Sequence, residues 1–553
     1  MSEKLSYWDV IIAGGGLAGL GLAKQLKQAN PELSIVVVEK QGFPRPRAIA
    51  KVGESTVEIG SHYLSHHLGL MQHLKENHLK KFGIRIFFGA PADDFAQQDE
   101  LGASQTFGIP TYQIDRGDIE NHLADELRAL GVTLIDKADI LQLDTKAETG
   151  SAQDKQLVIR TAAGEQTLIG HWLVDTAGRA SLLKNHLNLA AKNEHKSNAV
   201  WFRVDRKITL DDWCNSPEWH ARCMPEGRRW LSTNHLVGPG YWVWIIPLAS
   251  GVTSIGIVMD DTAFDAAAIS DQTSAMKWLA QHQPRCAAAI GDANFLDFVV
   301  LRDYSYDCKQ LFSDQRWAVA GEAGVFADPF YSPGSDFIAF ANGFICSLIT
   351  AERRGQDIRV QTVVYERLLR SIYQNTLSLY TGQYGGFGDR VMMGLKLLWD
   401  YSYYWGVLSL LYFRDALCDF ERIRPLAGEL HKAQQLNQSI QALFRQRAER
   451  RLQLPNRGVF MDQYQIPCLQ FFNKVLMEEP KLPLADELAR NMALVGQVAE
   501  AVRDMLGEMP TLEISNSERE LLGDYRLKIL GNGGLKFRGE ASGRAAAEKT
   551  PAI

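Results

Sequence analysis

The chain has 553 residues, of which 46% are hydrophobic and 22% are charged. Such proportions indicate a folded globular protein, and this length predicts several structural units instead of one small core. A net charge of −6 offers no broad basic field to a phosphate polymer, which argues against nucleic acid as a partner.

The seven cysteines are scattered, with no C-x-x-C pair and no histidine at zinc-ligand spacing. We therefore expect reduced thiols in a cytoplasmic protein and no metal site. The N-terminal residues lack the form of a secretory signal, so no export is predicted. The longest apolar stretches, such as residues 403–413, are shorter than the roughly 18 to 20 residues of a membrane-spanning helix, so no transmembrane segment is predicted.

The first predicted elements form a nucleotide-binding unit. A strand from Tyr7 to Ala13 runs into a glycine turn and a helical pattern, and a second strand follows over residues 34–39. Strand, glycine turn, helix and strand within roughly 30 residues are typical of the βαβ unit of doubly wound folds. The sequence therefore predicts a Rossmann-like N-terminal fold.

The glycine turn has G-x-G-x-x-G spacing at Gly14, Gly16 and Gly19. The first glycine permits a tight turn, the second lets the backbone approach a pyrophosphate, and the third allows close helix packing. Glu39 ends the second strand, where a carboxylate can accept hydrogen bonds from ribose hydroxyls, which argues against a 2′-phosphate. The alternative is a tight turn that binds nothing.

Three later segments, taken together with the glycine turn, resemble the flavoprotein hydroxylase and halogenase group. The first, residues 112–117, is an extended segment that ends near an arginine. The second, residues 173–181, is a strand that breaks at a glycine, and the third, residues 317–329, is similar to that group's Gly-Asp motif. Glu322 replaces the usual aspartate of the third motif. The resemblance implies FAD as the cofactor. No second strand-flanked G-x-G-x-x-G occurs, so either nicotinamide binds transiently or a separate reductase delivers reduced flavin.

Further elements narrow the resemblance to the flavin-dependent halogenases. They are W-x-W-x-I-P at residues 242–247, F-x-x-P-x-x-S-x-G at residues 326–334, and a loop similar to the family's flavin-contacting loop at residues 53–56. In a strand, Trp242 and Trp244 project to one face, so two indoles would wall a tunnel between flavin and substrate. The alternative is a sheet core filled by aromatic side chains.

The resemblance assigns a set of residues to the cofactor. They are Gly14, Gly16, Gly19, Glu39, Gly53, Glu54, Ser55, Thr56, Arg116, Gly321, Glu322, Asp328 and Pro329.

The resemblance also implies a lysine beside the organic substrate, to which hypohalous acid travels from the flavin. Lys81, in a segment over residues 81–86 that resembles the family's lysine-bearing strand, is the candidate catalytic lysine. On an extended chain Lys81 and Arg85 share one face and apolar residues share the other. The alternative is a strand whose charges lie in solvent, where lysine is most often found.

The first departure from the family pattern concerns the substrate. Tyr331 precedes the motif serine, Ser332, which the resemblance places with Lys81 in the catalytic set. Tryptophan-directed members have a glutamate at the tyrosine's position, whereas members that act on phenols carry an aromatic residue. The resemblance thus favours a phenolic or other electron-rich aromatic substrate, free or carrier-linked.

The second departure concerns the halide. The family binds halide partly through backbone amides after the motif serine, but Pro333 has no N–H. Gly334 and Ser335 remain as donors, and a buried chloride deprived of one donor would lose on the order of 1 to 3 kcal/mol. The alternatives are a flavin-dependent monooxygenase or a dehydrogenase that uses no halide, and a flavin-carrying partner protein without turnover of its own.

The C-terminal part of the chain is predicted to be helical. Asp336 is expected to cap a helix over residues 337–353. Long helical patterns follow over residues 363–379, 427–451 and 484–506, and residues 538–553 are expected to fray. The aromatic residues between 373 and 412 predict either a deep pocket for a flat or elongated substrate or packing between helices.

The predicted fold class is α/β, with a Rossmann-like FAD-binding domain intertwined with a mixed β-sheet substrate domain, plus a helical C-terminal region. The FAD-binding domain is expected over residues 1–190 and 311–350 and the substrate-domain sheet over residues 191–310. The helical region is expected over residues 351–553.

Overall fold

The computed structural model describes residues 5–89, 95–146, 154–261 and 268–507. The stretch expected to fray, residues 538–553, lies outside the described residues.

The strands of the described residues, in chain order, are β1 (Leu5–Ala13), β2 (Ile35–Val38), β3 (Leu79–Lys80), β4 (Ile84–Phe88), β5 (Glu100–Gly102), β6 (Tyr112–Gln113), β7 (Thr133–Ile135), β8 (Asp139–Asp144), β9 (Lys155–Thr161), β10 (Gly164–Asp175), β11 (Ala190–Ala191), β12 (Ser197–Val204), β13 (Thr233–Gly238), β14 (Tyr241–Pro247), β15 (Thr253–Asp260), β16 (Phe295–Leu301), β17 (Asp307–Cys308), β18 (Phe312–Ser313), β19 (Trp317–Val319) and β20 (Phe460–Asp462).

The α-helices of the described residues are α1 (Leu17–Ala29), α2 (Glu58–His62), α3 (Met71–Asn77), α4 (Arg116–Ala129), α5 (Leu182–His186), α6 (Pro217–His220), α7 (Gln272–His282), α8 (Pro284–Ile290), α9 (Gly334–Arg353), α10 (Arg359–Ser378), α11 (Arg390–Tyr403), α12 (Leu410–Phe413), α13 (Phe420–Ile423), α14 (Ala427–Ala448), α15 (Pro467–Met477) and α16 (Leu484–Gly507).

The first sheet confirms the predicted Rossmann-like unit. Its central strands are parallel in the order β19-β10-β1-β2-β7, and the β8-β9 pair joins through β10. The four residues of β2 are all buried, as in parallel sheets that helices cover on both faces. The carboxyl ends of β1, β2, β10 and β19 meet at one edge, where ligands bind in this class of fold.

The second sheet is mixed and has the order β16-β12-β15-β14-β13-β4-β5-β20. Most pairs are antiparallel, but β4 pairs in parallel with β13 and β20 in parallel with β5. Strands β4 and β5 come from the N-terminal stretch and β20 from the C-terminal stretch, so three separate parts of the chain build this sheet. This mixing of chain segments in one sheet is the intertwining of the two domains that the predicted fold class describes.

Alternate residues of β14 belong to two different cores. Val243 and Ile245 pack in a core of the second sheet's own. Trp242 and Trp244 belong to the larger core, which also contains the first sheet. Because successive side chains of a strand point to opposite faces, the two tryptophans face the FAD-binding half of the molecule.

Helix α9 is the one described helix whose length and apolar composition would allow it to cross a membrane. The expectation that the apolar stretches are too short to span a membrane is wrong for this helix. Most of the helix is buried inside the protein, where it packs against α1 and α10. A helix that is apolar all round and enclosed by neighbours is typical of a core element.

The predicted helices after residue 350 are present, with α10, α14 and α16 close to the expected limits. Helix α9 begins at Gly334, three residues before the expected start. Helix α11 contacts the Ser332 turn, because its residue Asp400 accepts a hydrogen bond from Tyr331.

Candidate functional site

The glycine turn after β1 is closed by backbone contacts that leave no room for side chains. A Cβ added to Gly14 would lie 2.4 Å from the carbonyl oxygen of Thr176, and one added to Gly19 would lie 2.0 Å from that of Gly14. Thr176 follows β10, so the ends of two parallel strands meet the start of α1 here. The N-terminus of α1 thus faces open space beside the turn, as a dinucleotide site requires.

Glu39 lies at the turn, as predicted. Its carboxylate accepts a hydrogen bond from the amide of Gly15 at 2.7 Å and forms an ion pair with Arg45 at 3.1 Å. The acid is therefore held at the carboxyl end of β2, the position from which a ribose is bound in such folds.

A basic cluster stands beside the same turn. Arg45, Lys51 and Arg116 all contact the buried carboxylate of Glu120, Lys51 at 2.8 Å and Arg116 at 2.9 Å. Burial, together with the charges of Arg116 and Arg45, lowers the pKa of Lys51 to about 7. The cations outnumber the acid they share, so the site has positive charge to offer a diphosphate. A Cβ on Gly16 would lie 3.7 Å from the Lys51 Nζ, so the donor set fits the FAD pyrophosphate.

Sequence reasoning found Arg116 but missed Arg45 and Lys51. Both lie in a proline-rich segment, residues 44–51, that has no periodic pattern. Two basic residues so soon after the second strand were the one available indication of a phosphate site.

Gly321 and Glu322 follow β19 and reach the same edge of the sheet. A Cβ on Gly321, where φ is +60°, would lie 3.3 Å from the Cβ of Ala18 at the start of α1. Glu322 pairs with Arg179 at 3.1 Å, and its expected role in place of the family's aspartate stays a prediction. The glycine turn, the segment after β10 and the segment after β19 are therefore brought together.

Asp328 is engaged differently from the prediction. Its buried carboxylate accepts hydrogen bonds from His195 at 2.7 Å, from Tyr304 at 2.7 Å and from Tyr384. The amide of Phe330 donates to its other oxygen at 2.9 Å. The side chain thus ties the second sheet to the helical region, and its expected place among the cofactor-binding residues stays a prediction.

Pro329 helps to shape the turn that follows. Its carbonyl oxygen accepts the amide hydrogen of Ser332 at 2.9 Å, and Ser332 has φ of +57°. A left-handed residue at this point reverses the chain into α9.

Lys81 is buried, with 4% of its surface exposed, and so is Arg85. The alternative of charges in solvent is therefore wrong. Lys81 Nζ donates to Ser55 Oγ at 2.9 Å and to the carbonyl oxygen of Thr56 at 3.1 Å. Burial lowers the pKa of Lys81 to about 8, although Glu58 and Asp336 raise it. The structure thus joins the candidate lysine to the predicted flavin loop.

The flavin loop itself is anchored on the second sheet and on β6. Ser55 Oγ lies 2.9 Å from Thr233 Oγ1 on β13, and the Thr56 hydroxyl donates to the carbonyl oxygen of Tyr112 at 3.0 Å. Burial raises the pKa of Glu54 to about 7, despite Ser254 and Arg203 nearby. Gly53 has φ of +94°, and this backbone conformation turns the loop away from the basic cluster.

The first turn of α9 packs against α2. Asp336 was expected to cap this helix, but that expectation is wrong because the N-cap is Pro333 and Asp336 lies inside the first turn. Its carboxylate accepts the amide hydrogen of Gly60 at 2.7 Å and the Tyr404 hydroxyl at 2.7 Å. Burial raises the pKa of Asp336 to about 7.

Ser335 lies at the same junction. A Cβ on Gly60 would be 2.1 Å from Ser335 Oγ, and that hydroxyl is buried without a hydrogen-bond partner among the described residues. The amides of Asp336 and Phe337 donate to Pro333. A helix leaves its first amides without intrahelical acceptors, so Gly334 and Ser335 have the N–H groups that an anion would use.

The aromatic residues of the predicted tunnel pack directly behind the Ser332 turn. The ring of Trp242 lies 5.1 Å from that of Phe330 and 5.6 Å from that of Trp244. Trp244 Nε1 donates to Ser254 Oγ at 3.2 Å. Tyr331 donates to Asp400 at 2.8 Å, so its hydroxyl points into the helical region.

A small cleft of about 90 Å³ lies in the helical region. Its walls are mostly aliphatic, and their polar part comes from Ser371, Asn375, Thr376, Asp400, Tyr403, Tyr404 and Asn437. Trp399 and Trp405 are buried instead. The aromatic segment therefore serves both predicted roles, since some of its rings line a cleft and others pack between helices.

A histidine cluster that the sequence analysis did not identify lies on α3 and α4. His73, His78 and Asp118 each bring one ligand-type atom within 4.8 Å of the others. The amide of Asp115 donates to His78 Nδ1 at 3.2 Å, so the neutral ring carries its proton on Nε2, the atom that faces Asp118. Burial lowers the pKa of His78 to about 4, so the ring stays neutral. Because a protonated Nε2 cannot bind a metal ion, the arrangement favours neutral histidines beside Asp118 over a metal site.

Residues 7–305 match the family model of the FAD binding domain. The chain is 26% identical over 431 residues to flavin-dependent halogenase chlA of Dictyostelium discoideum, an alignment that covers 73% of this chain and 70% of that protein. It is 24% identical over 399 residues to the 1H-pyrrole-2-carbonyl-(peptidyl-carrier protein) chlorinase of Pseudomonas fluorescens, covering 68% and 83%.

The solved structure of halogenase PltM in complex with phloroglucinol and FAD is similar to this chain with a TM-score of 0.63 and 17% identity. The superposition covers 90% of this chain and 96% of that one. The likeness shows a shared fold, and the predicted α/β architecture is confirmed by it. The expectation of FAD as the cofactor is confirmed by the family match.

Replacing Gly19 with alanine is expected to weaken FAD binding roughly 10-fold to 100-fold, because overpacking costs about 1 to 3 kcal/mol. Titration of the apoprotein with FAD, followed by flavin fluorescence, measures the change. Gly496→Ala is the matched control, since a Cβ there meets no atom within 4 Å. Unchanged FAD affinity in the Gly19 variant would contradict the assignment.

Proposed function

Because this chain belongs to the FAD binding domain family, we propose that it is a flavin-dependent halogenase that acts on an electron-rich aromatic substrate. It is an FAD-dependent oxidoreductase, and similarity to the halogenase chlA over 73% of its length supports the narrower assignment. The single observation that carries the proposal is the burial of Lys81 against the flavin loop.

Lys81 has the properties of a group that holds a small polar oxidant. An ammonium has three N–H donors, and two of them are used by Ser55 and Thr56 in the described structure. The third is available to hypohalous acid, and burial strengthens that hydrogen bond because water does not compete. When bound and reduced, FAD supplies the electrons with which oxygen converts halide to hypohalous acid.

The first turn of α9 is the proposed halide site. The amides of Gly334 and Ser335 and the buried Ser335 hydroxyl point to an anion, and the helix dipole favours it. Pro333 supplies no donor, so the remaining groups must hold the halide without it. Asp336 opposes halide binding when it is ionised, which makes its protonation state important.

The substrate is proposed to be a phenolic or other electron-rich ring, free or carrier-linked. Tyr331 at the position before Ser332 favours a phenolic substrate over tryptophan, and the chlorinase relative is named for a carrier-linked pyrrole.

Within the described residues no second nucleotide turn follows the Rossmann unit, so a separate reductase is proposed to deliver reduced FAD. The unpaired cysteines suit the reducing cytoplasm that we propose as its location.

The function is tested by incubating the protein with reduced FAD, oxygen, chloride or bromide, and a panel of phenols and pyrroles. A product heavier by one halogen in place of one hydrogen is the expected result of mass spectrometry. Addition of one oxygen would establish the monooxygenase alternative instead. Turnover with an artificial electron acceptor in the absence of oxygen would establish a dehydrogenase.

Replacing Lys81 with alanine is expected to lower product formation by about 10²-fold or more, the range typical of a positioned proton donor. FAD affinity and the oxidation of halide should persist, because the glycine turn and basic cluster are untouched. Product formation is followed by mass, and free hypohalous acid by a trapping diketone. Lys80→Ala is the control because that neighbouring side chain is exposed; halogenation retained in the Lys81 variant would remove the lysine from the mechanism.

Halide affinity is expected to rise as the pH falls through about 7, the pKa to which burial raises Asp336. Protonation removes the negative charge beside the proposed halide amides, so the KM for halide should decrease by several-fold. Measuring this KM from about pH 6 to about pH 7.5 avoids the titration of Lys81, whose pKa is about 8. In Asp336→Asn the dependence should vanish, and a dependence that survives would point to another group.

A further inference from the structure

The site needs a carboxylate partner for Lys81, and the usual position does not provide one. Tyr331 stands before Ser332, and its hydroxyl donates to Asp400 at 2.8 Å, away from Lys81. A halogenated aromatic ring must still lose a proton, and a buried acid beside the lysine is the group able to receive it.

Three acidic side chains are candidates, because the charges of Glu58 and Asp336 act on Lys81 and Asp400 binds Tyr331. Two of the three are already committed. Asp336 accepts hydrogen bonds from Gly60 and Tyr404 through its two oxygens. Asp400 pairs with Lys396 at 2.9 Å and accepts from Tyr331. Each of these acids holds the fold together, so neither carboxylate is available to a substrate.

Glu58 is the third acid, and the backbone around it positions every other part of the cluster. It is the first residue of α2 and follows Thr56, whose carbonyl oxygen accepts the Lys81 ammonium at 3.1 Å. The amide of Ile59 donates to the Tyr404 hydroxyl at 3.1 Å. Glu58 thus lies between the point where Lys81 is bound and the point where Tyr404 is bound.

The Glu58 carboxylate itself forms no ion pair with any described residue, unlike Asp400. Its side chain is half-buried, as are those of Tyr331, Tyr401 and Tyr404. Burial raises the pKa of Glu58, while its own backbone amide, Trp405 and Lys81 favour its charged form. A carboxylate that is desolvated, has a cationic neighbour and keeps some accessible surface has the properties of a functional group that a substrate can reach.

We propose that Glu58 accepts the proton that the aromatic ring loses when it is halogenated, with Lys81 acting on the oxidant and Glu58 on the substrate. This role rests on the proposed function. It places the ring beside the Lys81 ammonium and the first turn of α2, near Tyr404.

The ring carbon attacks the halogen of hypohalous acid, a carbon–halogen bond forms and the oxygen–halogen bond breaks, so the ring is oxidised and the hypohalous acid reduced. The departing oxygen takes a proton from the Lys81 ammonium and leaves as water. The ring proton goes to Glu58, and its transfer from Glu58 to the Lys81 amine restores both groups.

The principal test compares Glu58→Gln with Glu76→Gln, an exposed glutamate on α3. Product formation from the best phenol of the panel should fall by about 10²-fold in the Glu58 variant and remain normal in the control. Because loss of the ring proton then limits the rate, a phenol deuterated at the reacting carbon should react more slowly than the protiated one. A variant that is only structurally damaged would show no such isotope effect.

The outcomes separate the two proposals. A wild-type protein that halogenates none of the panel and oxidises no halide overturns the proposed function and this role with it. Normal wild-type halogenation together with an unimpaired Glu58→Gln overturns only the role of Glu58. An isotope effect in Asp336→Asn but not in Glu58→Gln transfers the role to Asp336. Glu58→Asp, which keeps the carboxylate, should regain part of the lost rate.

A second measurement requires no turnover. Glutamate labelled with ¹³C at the carboxyl carbon allows the Glu58 signal to be titrated by NMR, with Glu58→Gln as its assignment. Replacing Lys81 with methionine should raise the pKa of Glu58, because the ammonium that favours its charged form is removed. Lys80→Met should leave it unchanged; equal titrations in the two variants would show that Glu58 and Lys81 do not interact.

Discussion

The hydrogen bond from the Gly60 amide to the Asp336 carboxylate, 2.7 Å long, is the contact on which the arrangement of the site depends. It joins α2, which continues the flavin loop, to the first turn of α9, which follows the Ser332 turn. Only glycine permits the approach, because a Cβ on Gly60 would be 2.1 Å from Ser335 Oγ. This junction therefore fixes the start of α9, with the amides of the proposed halide site, against the element that follows the loop to which Lys81 donates.

Local spacing was sufficient to predict the nucleotide end of the site. The glycines and Glu39 lie within one βαβ unit, so their relative positions follow from strand and helix geometry alone. The contacts of Asp336 could not be predicted from local spacing, because its partners Gly60 and Tyr404 are 276 and 68 residues distant in the sequence. An aspartate at a helix start looks like a cap in sequence, and only the tertiary packing shows that its carboxylate is used elsewhere.

The alternation of residues 81–86 predicted a half-exposed strand, and its failure has a local cause. Gly83 has φ of +81° and β4 starts only at Ile84, so Lys81 does not share the face that the pattern assigned to it. Arg85 is buried on β4, where it contacts Glu100. Strand β5, which carries Glu100, and β20 reach the second sheet from distant parts of the chain, and no periodic pattern reveals such a pairing.

The site contains a cluster of three cations and the single buried ammonium of Lys81, and the two differ in the groups that they contact. Arg45, Lys51 and Arg116 surround Glu120, an arrangement that fits the charge of a diphosphate. Lys81 is held by the neutral oxygens of Ser55 and Thr56, and no acid contacts it directly in the described structure. A buried ammonium without a counter-ion gains most from any oxygen that enters its space. The neutral oxygens around Lys81 therefore suit the role proposed for it, whereas the shared carboxylate of Glu120 holds the cations of the other cluster in fixed positions.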